Sequence, residues 1–85
     1  MKVHETAIIE EGAKIGRGTN IWHFSHIRSG AIIGNNCKVA AKSAVMKSLD
    51  DNSTVSGIPA IDHNKKLRLD VLYSRLPEIF KKLYK

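Results

Sequence analysis

The chain has 85 residues, of which 42% are hydrophobic, and a formal net charge of +6 at pH 7. A domain of this size buries only about 60% of the surface that its unfolded chain exposes, so it is expected to need support from a disulfide, a metal or a partner. The sequence has one cysteine and no Cys/His cluster with zinc spacing, which excludes an internal disulfide and a zinc site. Self-association is therefore the expected source of support.

The N-terminal sequence MKVHETAIIEEGAK lacks the apolar core of a signal peptide, and no stretch of the sequence approaches the length of a membrane span. We therefore expect a cytoplasmic protein. No motif that reads DNA or RNA occurs, so no nucleic-acid partner is expected.

An aliphatic residue recurs at every sixth position over the first half of the chain. The positions are Val3, Ile9, Ile15, Ile21, Ile27, Ile33, Val39 and Val45. A fixed period of this kind indicates a repeat architecture, and a period of six fits neither a helix nor one long strand. Each hexad is therefore predicted to be a short strand followed by a bend.

Two further positions of the hexad support this interpretation. Four places after the aliphatic residue comes a small or modest one, for example Ala7, Thr19 or Cys37. Three places after it, the sequence has Gly or Asn in four hexads, and these residue types tolerate a left-handed backbone at a tight corner. These corner residues are Gly12, Gly18, Gly30 and Asn36.

Nine hexads over residues 3–56 predict an all-β solenoid of about three 18-residue coils, a parallel β-helix that occupies residues 1–57. The predicted inward stacks are Val3/Ile21/Val39, Ile9/Ile27/Val45 and Ile15/Ile33/Asp51. Asp51 is the one polar member, in the turn-like sequence LDDNST. Cys37 falls on the small inward column, which favours burial over a nucleophilic role.

Residues 58–85 form a different segment, which follows the Gly/Pro exit SGIPA and has helical composition. Asp62 is a candidate N-cap, and Pro77 divides the segment into two short helices or kinks a single one, with Ser74 as a candidate second cap. A heptad seam in this segment is suited to packing on a second copy or across the end of the coils. Its members are Leu69, Leu72, Leu76, Ile79 and Leu83.

Two stretches of the sequence resemble known enzymes. Residues 1–37, with HETAIIEEGAKIGRGTNIWHFSHIRSGAIIGNNC, resemble the first coils of bacterial N-acetyltransferases that act on UDP-2-acetamido-3-amino-2,3-dideoxyglucuronate. Residues 38–85, with VAAKSAVMKSLDDNSTVSGIPAIDHNKKLRLDVLYSRLPEIFKKL, resemble the C-terminal part of UDP-3-O-acylglucosamine N-acyltransferase of lipid A biosynthesis. The chain is thus similar to the first and last parts of such an enzyme, as a natural remnant or a chimera with a junction near Cys37 and Lys38.

The resemblance implies a left-handed β-helix and a homotrimer. It also implies acyl transfer from acyl-CoA or acyl carrier protein to a UDP-amino sugar, with neither donor bound permanently. The Gly-His-Asn segment that supplies the catalytic histidine of the acylglucosamine family has no match in this chain. The main hypothesis is therefore a trimeric acyltransferase-type scaffold that lacks the catalytic centre, and the alternative is an active minimal N-acyltransferase.

The densest group of candidate site residues lies in IWHFSHIRSG, residues 21–30. His23 and His26 point outward in the hexad register, so either one is a candidate general base in a groove between subunits. The simpler interpretation places both at an interface or on the surface. Trp22 and Phe24 are outward aromatics, for which burial between subunits is the favoured interpretation, and stacking of a sugar or purine on Trp22 is the alternative.

The C-terminal segment supplies the remaining candidates. Gly57 and Pro59 of SGIPA lie where many hexapeptide-repeat acyltransferases hold the acyl donor, although the motif also serves simply to turn the chain. Leu69, Leu72 and Leu76 are assigned to the trimer interface. Residues 62–85 carry seven Lys and Arg residues against three acidic ones, which favours an acidic partner such as acyl carrier protein, with a solvated helical face as the alternative. The residues expected to contact it are Lys65, Lys66, Arg68 and Arg75.

Overall fold

The computed structural model describes residues 2–83 as a parallel β-solenoid of three turns followed by two short helices, as the hexad pattern predicts. The ten strands are β1 Lys2–Val3, β2 Ile8–Ile9, β3 Lys14–Ile15, β4 Asn20–Ile21, β5 His26–Ile27, β6 Ile32–Ile33, β7 Lys38–Val39, β8 Ala44–Val45, β9 Thr54–Ser56 and β10 Ile61–Asp62. The helices are α1 His63–Ser74 and α2 Leu76–Leu83. The molecule is elongated, with principal extents of 51 × 21 × 19 Å.

The strands form the three faces of a prism. The first face has the strand order β1-β4-β7-β9-β10, the second face has β2-β5-β8, and the third face has β3-β6. Strands β1 to β9 pair in parallel wherever they meet, while β10 runs antiparallel to β9 and ends the first face. Because strands three hexads apart are paired, each face displays one side chain of every coil in a column.

The predicted stacks hold through the first two and a half coils. Val3 pairs with Ile21 and Ile21 with Val39, while Ile9 pairs with Ile27 and Ile27 with Val45. The inward aliphatics of the second and third coils are almost completely buried, since Ile21 and Val45 are each 1% exposed. In the first coil, Val3 is 37% exposed because coil two covers it from one side only.

The small residues of the inward column are held by hydrogen bonds as well as by close packing. The hydroxyls of Thr19 and Ser25 donate to the carbonyls of Gly34 and Ala40, at 2.8 Å each. Cys37 is completely buried, with its thiol 3.1 Å from the Asp50 carbonyl, which confirms the expectation of burial.

The left-handed corners are confirmed as well, and there are more of them than the sequence indicates. The predicted corner residues have φ between 57° and 91°. They are Gly12, Gly18, Gly30 and Asn36. The same position of other hexads is left-handed at Phe24, Lys42 and Asn52, with φ of 56°, 57° and 63°. A left-handed backbone costs an ordinary L-residue about 1–2 kcal/mol, so Phe24 and Lys42 are held there by the coils on either side.

The prediction that Asp51 stacks under Ile33 is wrong. Ile33 bridges to Leu49, and Val39 pairs with Val55, so the coil spacing falls from 18 residues to 16 after Val45. This two-residue shortening places Leu49 and Val55 at the inward aliphatic positions and releases Asp51 to the outside. There its carboxylate accepts a hydrogen bond from the Asn35 N–H at 2.7 Å.

The C-terminal segment confirms the Asp62 cap and the division into two short helices, and it corrects the expectation for Ser74. Asp62 accepts from the Lys65 N–H at 3.1 Å. Ser74 does not cap α2, because its hydroxyl donates back to the Val71 carbonyl at 2.7 Å and the first α2 bond runs from the Ile79 N–H to the Arg75 carbonyl. Pro77 lies in the first turn of α2, where its missing N–H costs nothing.

The heptad seam does not pack across the end of the coils. Each seam residue is at least 40% exposed, and neither helix has a buried residue. The chain itself therefore leaves the apolar face of both helices uncovered, and packing on a second copy stays a prediction.

The close approach of successive coils at Gly34 gives a test of the register. A Cβ at Gly34 would lie 2.6 Å from the backbone N of Asp51, whereas a Cβ at Gly30 would meet nothing within 4 Å. We expect Gly30→Ala to cost about 1 kcal/mol through its left-handed φ alone, and Gly34→Ala to cost at least about 2 kcal/mol because the third coil must move. Urea unfolding of both variants at one protein concentration measures the difference, and equal costs would contradict the 16-residue spacing.

Candidate functional site

The second face carries a histidine with a carboxylate partner. His26 lies on β5, and its Nε2 is 2.5 Å from Oε2 of Glu10 in the coil above. The other oxygen, Oε1, accepts a hydrogen bond from the Ser29 N–H at 2.8 Å. The His26 and Glu10 side chains are 44% and 39% exposed, so the pair is accessible to a ligand.

The carboxylate of Glu10 determines which nitrogen of the His26 ring carries the proton. An ionised carboxylate only accepts hydrogen bonds, so His26 donates from Nε2, and the Nδ1 of the neutral imidazole is left to accept a proton. The Ser29 N–H and, after it, the hydrogen bond from His26 lower the pKa of the Glu10 carboxyl below its usual value. Glu10 therefore stays ionised at neutral pH and orients His26 as a carboxylate orients a general base.

The SGIPA turn lies on the same face as His26. Ala44 of β8 pairs with His26, its N–H donates to the Gly57 carbonyl at 3.0 Å, and its carbonyl accepts from the Ala60 N–H at 2.8 Å. The turn thus takes the place of a further strand beneath β8. With strands about 4.8 Å apart, His26 and Gly57 lie about 10 Å from each other, with the small side chain of Ala44 between them.

The structure does not bring the two histidine candidates together. His23 lies at the corner between the first and second faces, where its ring contacts that of His4 at a tilt of 33°, with a centroid distance of 3.8 Å. The Trp22 ring is nearly parallel to that of His23, at 6.5 Å. Within residues 2–83, no hydrogen bond or ring contact joins His23 to His26.

The two aromatic candidates are exposed at this corner. Trp22 is 44% exposed and Phe24 is 61% exposed. Phe24 combines this exposure with its left-handed backbone, a conformation that a bulky side chain rarely adopts. The N–H of Phe24 donates to the Thr6 hydroxyl at 2.9 Å, which fastens the corner to the first coil.

Two of the four basic candidates are in ion pairs within the helices. The Lys66 ammonium contacts Asp70 at 2.5 Å, and Arg75 lies 3.8 Å from Glu78. The aliphatic stem of Lys66 also packs beside Gly57, so the start of α1 borders the SGIPA turn. Lys65 and Arg68 lie on the same exposed helix.

Sequence reasoning missed Glu10. Its place could have been found by stacking the coils, because Ile9 pairs with Ile27 and so sets Glu10 diagonally above His26. Among residues 2–83, no group of three His, Cys, Asp or Glu side chains is arranged to hold a metal. None of the helices in that range is long and apolar enough to span a membrane.

Comparison with known proteins identifies the repeat. Residues 12–47 match the family described as Bacterial transferase hexapeptide (six repeats). This hexapeptide segment runs from the second half of the first coil to the point in the third coil where the spacing shortens.

Curated relatives support the same assignment. Acyl-[acyl-carrier-protein]--UDP-N-acetylglucosamine O-acyltransferases of Brucella ovis, Brucella canis and Brucella suis are each 46% identical over 37 residues. The match covers 44% of this chain and 13% of each relative, so the chain corresponds to a small part of their length. Hexapeptide repeats together with these relatives indicate an acyltransferase-type scaffold. The N-acyltransferase subtypes and the junction stay predictions.

The lowered pKa of Glu10 predicts a pH-dependent contribution to stability. A carboxyl whose pKa is lowered in the folded state stabilises that state at pH values above its unfolded pKa, which is about 4.3. The contribution is lost as the pH falls through the folded-state pKa. We expect the stability difference between the wild type and Glu10→Gln to be present at pH 7 and to vanish in acid. Urea unfolding across this range measures the difference.

Glu11→Gln is the matched control, because Glu11 is the neighbouring residue and takes no part in the His26 pair. A pH-dependence of the same size in both variants would contradict the assignment to the His26–Glu10–Ser29 contacts.

Proposed function

We propose that the chain is a homotrimeric acyltransferase-type scaffold, related to bacterial N-acyltransferases of UDP-amino sugars and without a complete catalytic centre. The observation that carries the trimer is the apolar surface that one chain leaves uncovered, at the Trp22–Phe24 corner and along both helices. A monomer of this size would be marginally stable with so much apolar surface in water.

The strained backbone at Phe24 also supports the proposed trimer. The backbone of Phe24 fastens the corner through its bond to Thr6, but its exposed ring adds little burial in the isolated chain. Packing against another subunit gives that ring a role, because an aromatic side chain removes about 150–250 Å² from water when buried. The helical seam with Leu69, Leu72 and Leu76 would meet its counterparts in the same assembly.

The second candidate function is acyl transfer by this chain itself. The specific observation in its favour is the position of His26, oriented by Glu10, on the same face as the SGIPA turn. In this reaction the neutral Nδ1 of His26 would take a proton from a sugar amine or hydroxyl as that group attacks the thioester carbonyl of the donor. His26 would return the proton to the departing thiolate when the C–S bond breaks, while backbone groups near Gly57 and Pro59 hold the acyl donor. His23 is the alternative base and has no carboxylate partner among the described side chains.

The donor in this proposal is acyl-CoA or an acyl carrier protein, and the latter is part of the name of the Brucella relatives. An acidic carrier protein would dock on the basic face of the helices. The residues proposed to contact it are Lys65, Lys66, Arg68 and Arg75. Since Lys66 borders Gly57, a carrier docked there would present its acyl arm close to the turn.

The oligomeric state tests the scaffold. Light scattering is expected to give three times the chain mass of 9.4 kDa. Phe24→Gly relieves the backbone strain but removes the ring, so it is expected to shift the protein toward monomer at equal concentration. The measurement is the mass-average molar mass over a dilution series.

Lys42→Gly is the matched control, since Lys42 has the same φ at the same corner one coil below Phe24. It should keep the trimer. A monomeric wild type would contradict the proposal, and so would equal loss of mass in both variants.

Thiol release from acetyl-CoA, with and without a UDP-amino sugar, separates the two functions. The scaffold proposal expects no sugar-dependent release above the protein-free blank. Turnover that is abolished in His26→Ala and retained in His4→Ala would instead establish the second candidate, with loss in Glu10→Gln assigning the carboxylate. Loss in His23→Ala alone would make His23 the base.

A further inference from the structure

Phe24 is fastened to the first coil differently from the other left-handed corners. At Asn36, Lys42 and Asn52, the backbone N–H donates to a backbone carbonyl of the coil above, at 2.8 Å each. The N–H of Phe24 instead donates to the side-chain hydroxyl of Thr6 at 2.9 Å. Among the non-glycine left-handed corners of residues 2–83, Phe24 is therefore the one that depends on a side chain of the coil above.

The Thr6 hydroxyl is in turn held by His4. The Thr6 N–H donates to Nδ1 of His4 at 3.2 Å, and the Thr6 hydroxyl oxygen lies 2.8 Å from the same nitrogen. A ring nitrogen that accepts carries no proton, so Nδ1 accepts from the hydroxyl as well, and the hydroxyl oxygen keeps its lone pairs for the Phe24 N–H. The three residues thus form a relay, from Phe24 through Thr6 to His4, which needs an unprotonated Nδ1.

A proton on Nδ1 of His4 breaks this relay. The protonated ring has two N–H donors and no acceptor, so the Thr6 N–H loses its partner and faces another donor. The closed relay binds one proton fewer than the open one, so the closed form loses stability as the pH falls. Histidine is the side chain whose charge most readily changes between pH 5 and 8.

The charged groups around His4 add to the cost of that proton. The His23 ring contacts the His4 ring at a centroid distance of 3.8 Å, and the N–H of Lys42 in the third coil donates to the His23 carbonyl. Lys2 and Glu5 line the same surface hollow as His4. Glu5 is the one carboxylate among these groups, so it can match one positive charge but not a second one on the neighbouring ring.

We propose that His4 is an acid-sensitive anchor of the Phe24 corner: the neutral ring fixes the left-handed backbone of Phe24 through Thr6, and the protonated ring releases it. Because Phe24 is the residue proposed to pack against another subunit, its release would weaken the trimer in mild acid. This second step rests on the proposed function, whereas the relay is a property of one chain.

Hydrogen exchange of the Phe24 amide, followed by NMR on the full chain, measures the relay directly. After correction for the intrinsic pH-dependence of exchange, its protection is expected to fall about tenfold from pH 7.5 to pH 5.5. The Lys42 amide is the internal control, because it has the same φ but donates to a backbone carbonyl, and its protection should stay constant. Equal falls at both amides would overturn the proposal.

His4→Asn separates the titration of the ring from its contact with Thr6. An Asn side-chain oxygen accepts from the N–H two residues on, as in an Asx turn, and takes up no proton in this pH range. This variant is expected to keep the Phe24 protection at both pH values. His23→Asn, the matched control, is expected to keep the fall. A fall that persists in His4→Asn, or that disappears only in His23→Asn, would overturn the proposal.

Light scattering at equal chain concentration measures the second step. The molar mass of the wild type is expected to fall toward that of one chain at pH 5.5, while His4→Asn keeps the mass of the trimer. A trimeric wild type at pH 5.5 would overturn the control of assembly by His4. A wild type that is monomeric already at pH 7.5 would contradict the proposed function instead, and the Phe24 amide would still decide the relay.

Discussion

The stacking of each inward aliphatic residue on its counterpart in the next coil is the constraint on which the rest of this molecule depends. Individual strands are mostly two residues long and could not persist alone. Ile21 is held because Val3 and Val39 pair with it from both sides, and it is 1% exposed as a result. A solenoid of this kind is stabilised by nearest-neighbour contacts between repeats, so every outward side chain inherits its position from the core beneath it.

The shortened spacing after Val45 has the largest consequence for the candidate site. If the period of 18 had continued, Asp51 would have entered the core under Ile33, at the cost of burying a carboxylate. The loss of two residues brings in Leu49 instead and advances the chain, so that the SGIPA turn closes on Ala44 of the second face. The same step that ends the apolar core without a buried charge therefore sets Gly57 on the face of His26.

The parts that sequence reasoning predicted are those that depend on period and residue type alone. Eight aliphatic residues in register, with Gly or Asn at the corners, determine the faces and the inward columns. Phe24 was missed as a left-handed corner because its residue type argues against that backbone, and only the coils on either side hold it there. The shift at Leu49 was missed because a periodic pattern carries no information about where it is interrupted. The Glu10–His26 contact depends on a diagonal between coils, which appears only once the register is known.

The faces also divide the chemistry of the chain in a way that composition does not suggest. Three of the four histidines lie within the first 26 residues, yet the prism places them in different surroundings. His26 meets a carboxylate on the second face and leaves Nδ1 as a proton acceptor, whereas His4 uses its Nδ1 to accept from Thr6 and keeps a proton on Nε2. Both neutral rings thus carry their proton on Nε2, but within the described residues His26 leaves its acceptor Nδ1 free, whereas His4 leaves its Nε2–H free. A free acceptor nitrogen suits proton abstraction and a free N–H suits an acceptor group, so the same residue type provides different chemistry at different places on the prism without any change in the core.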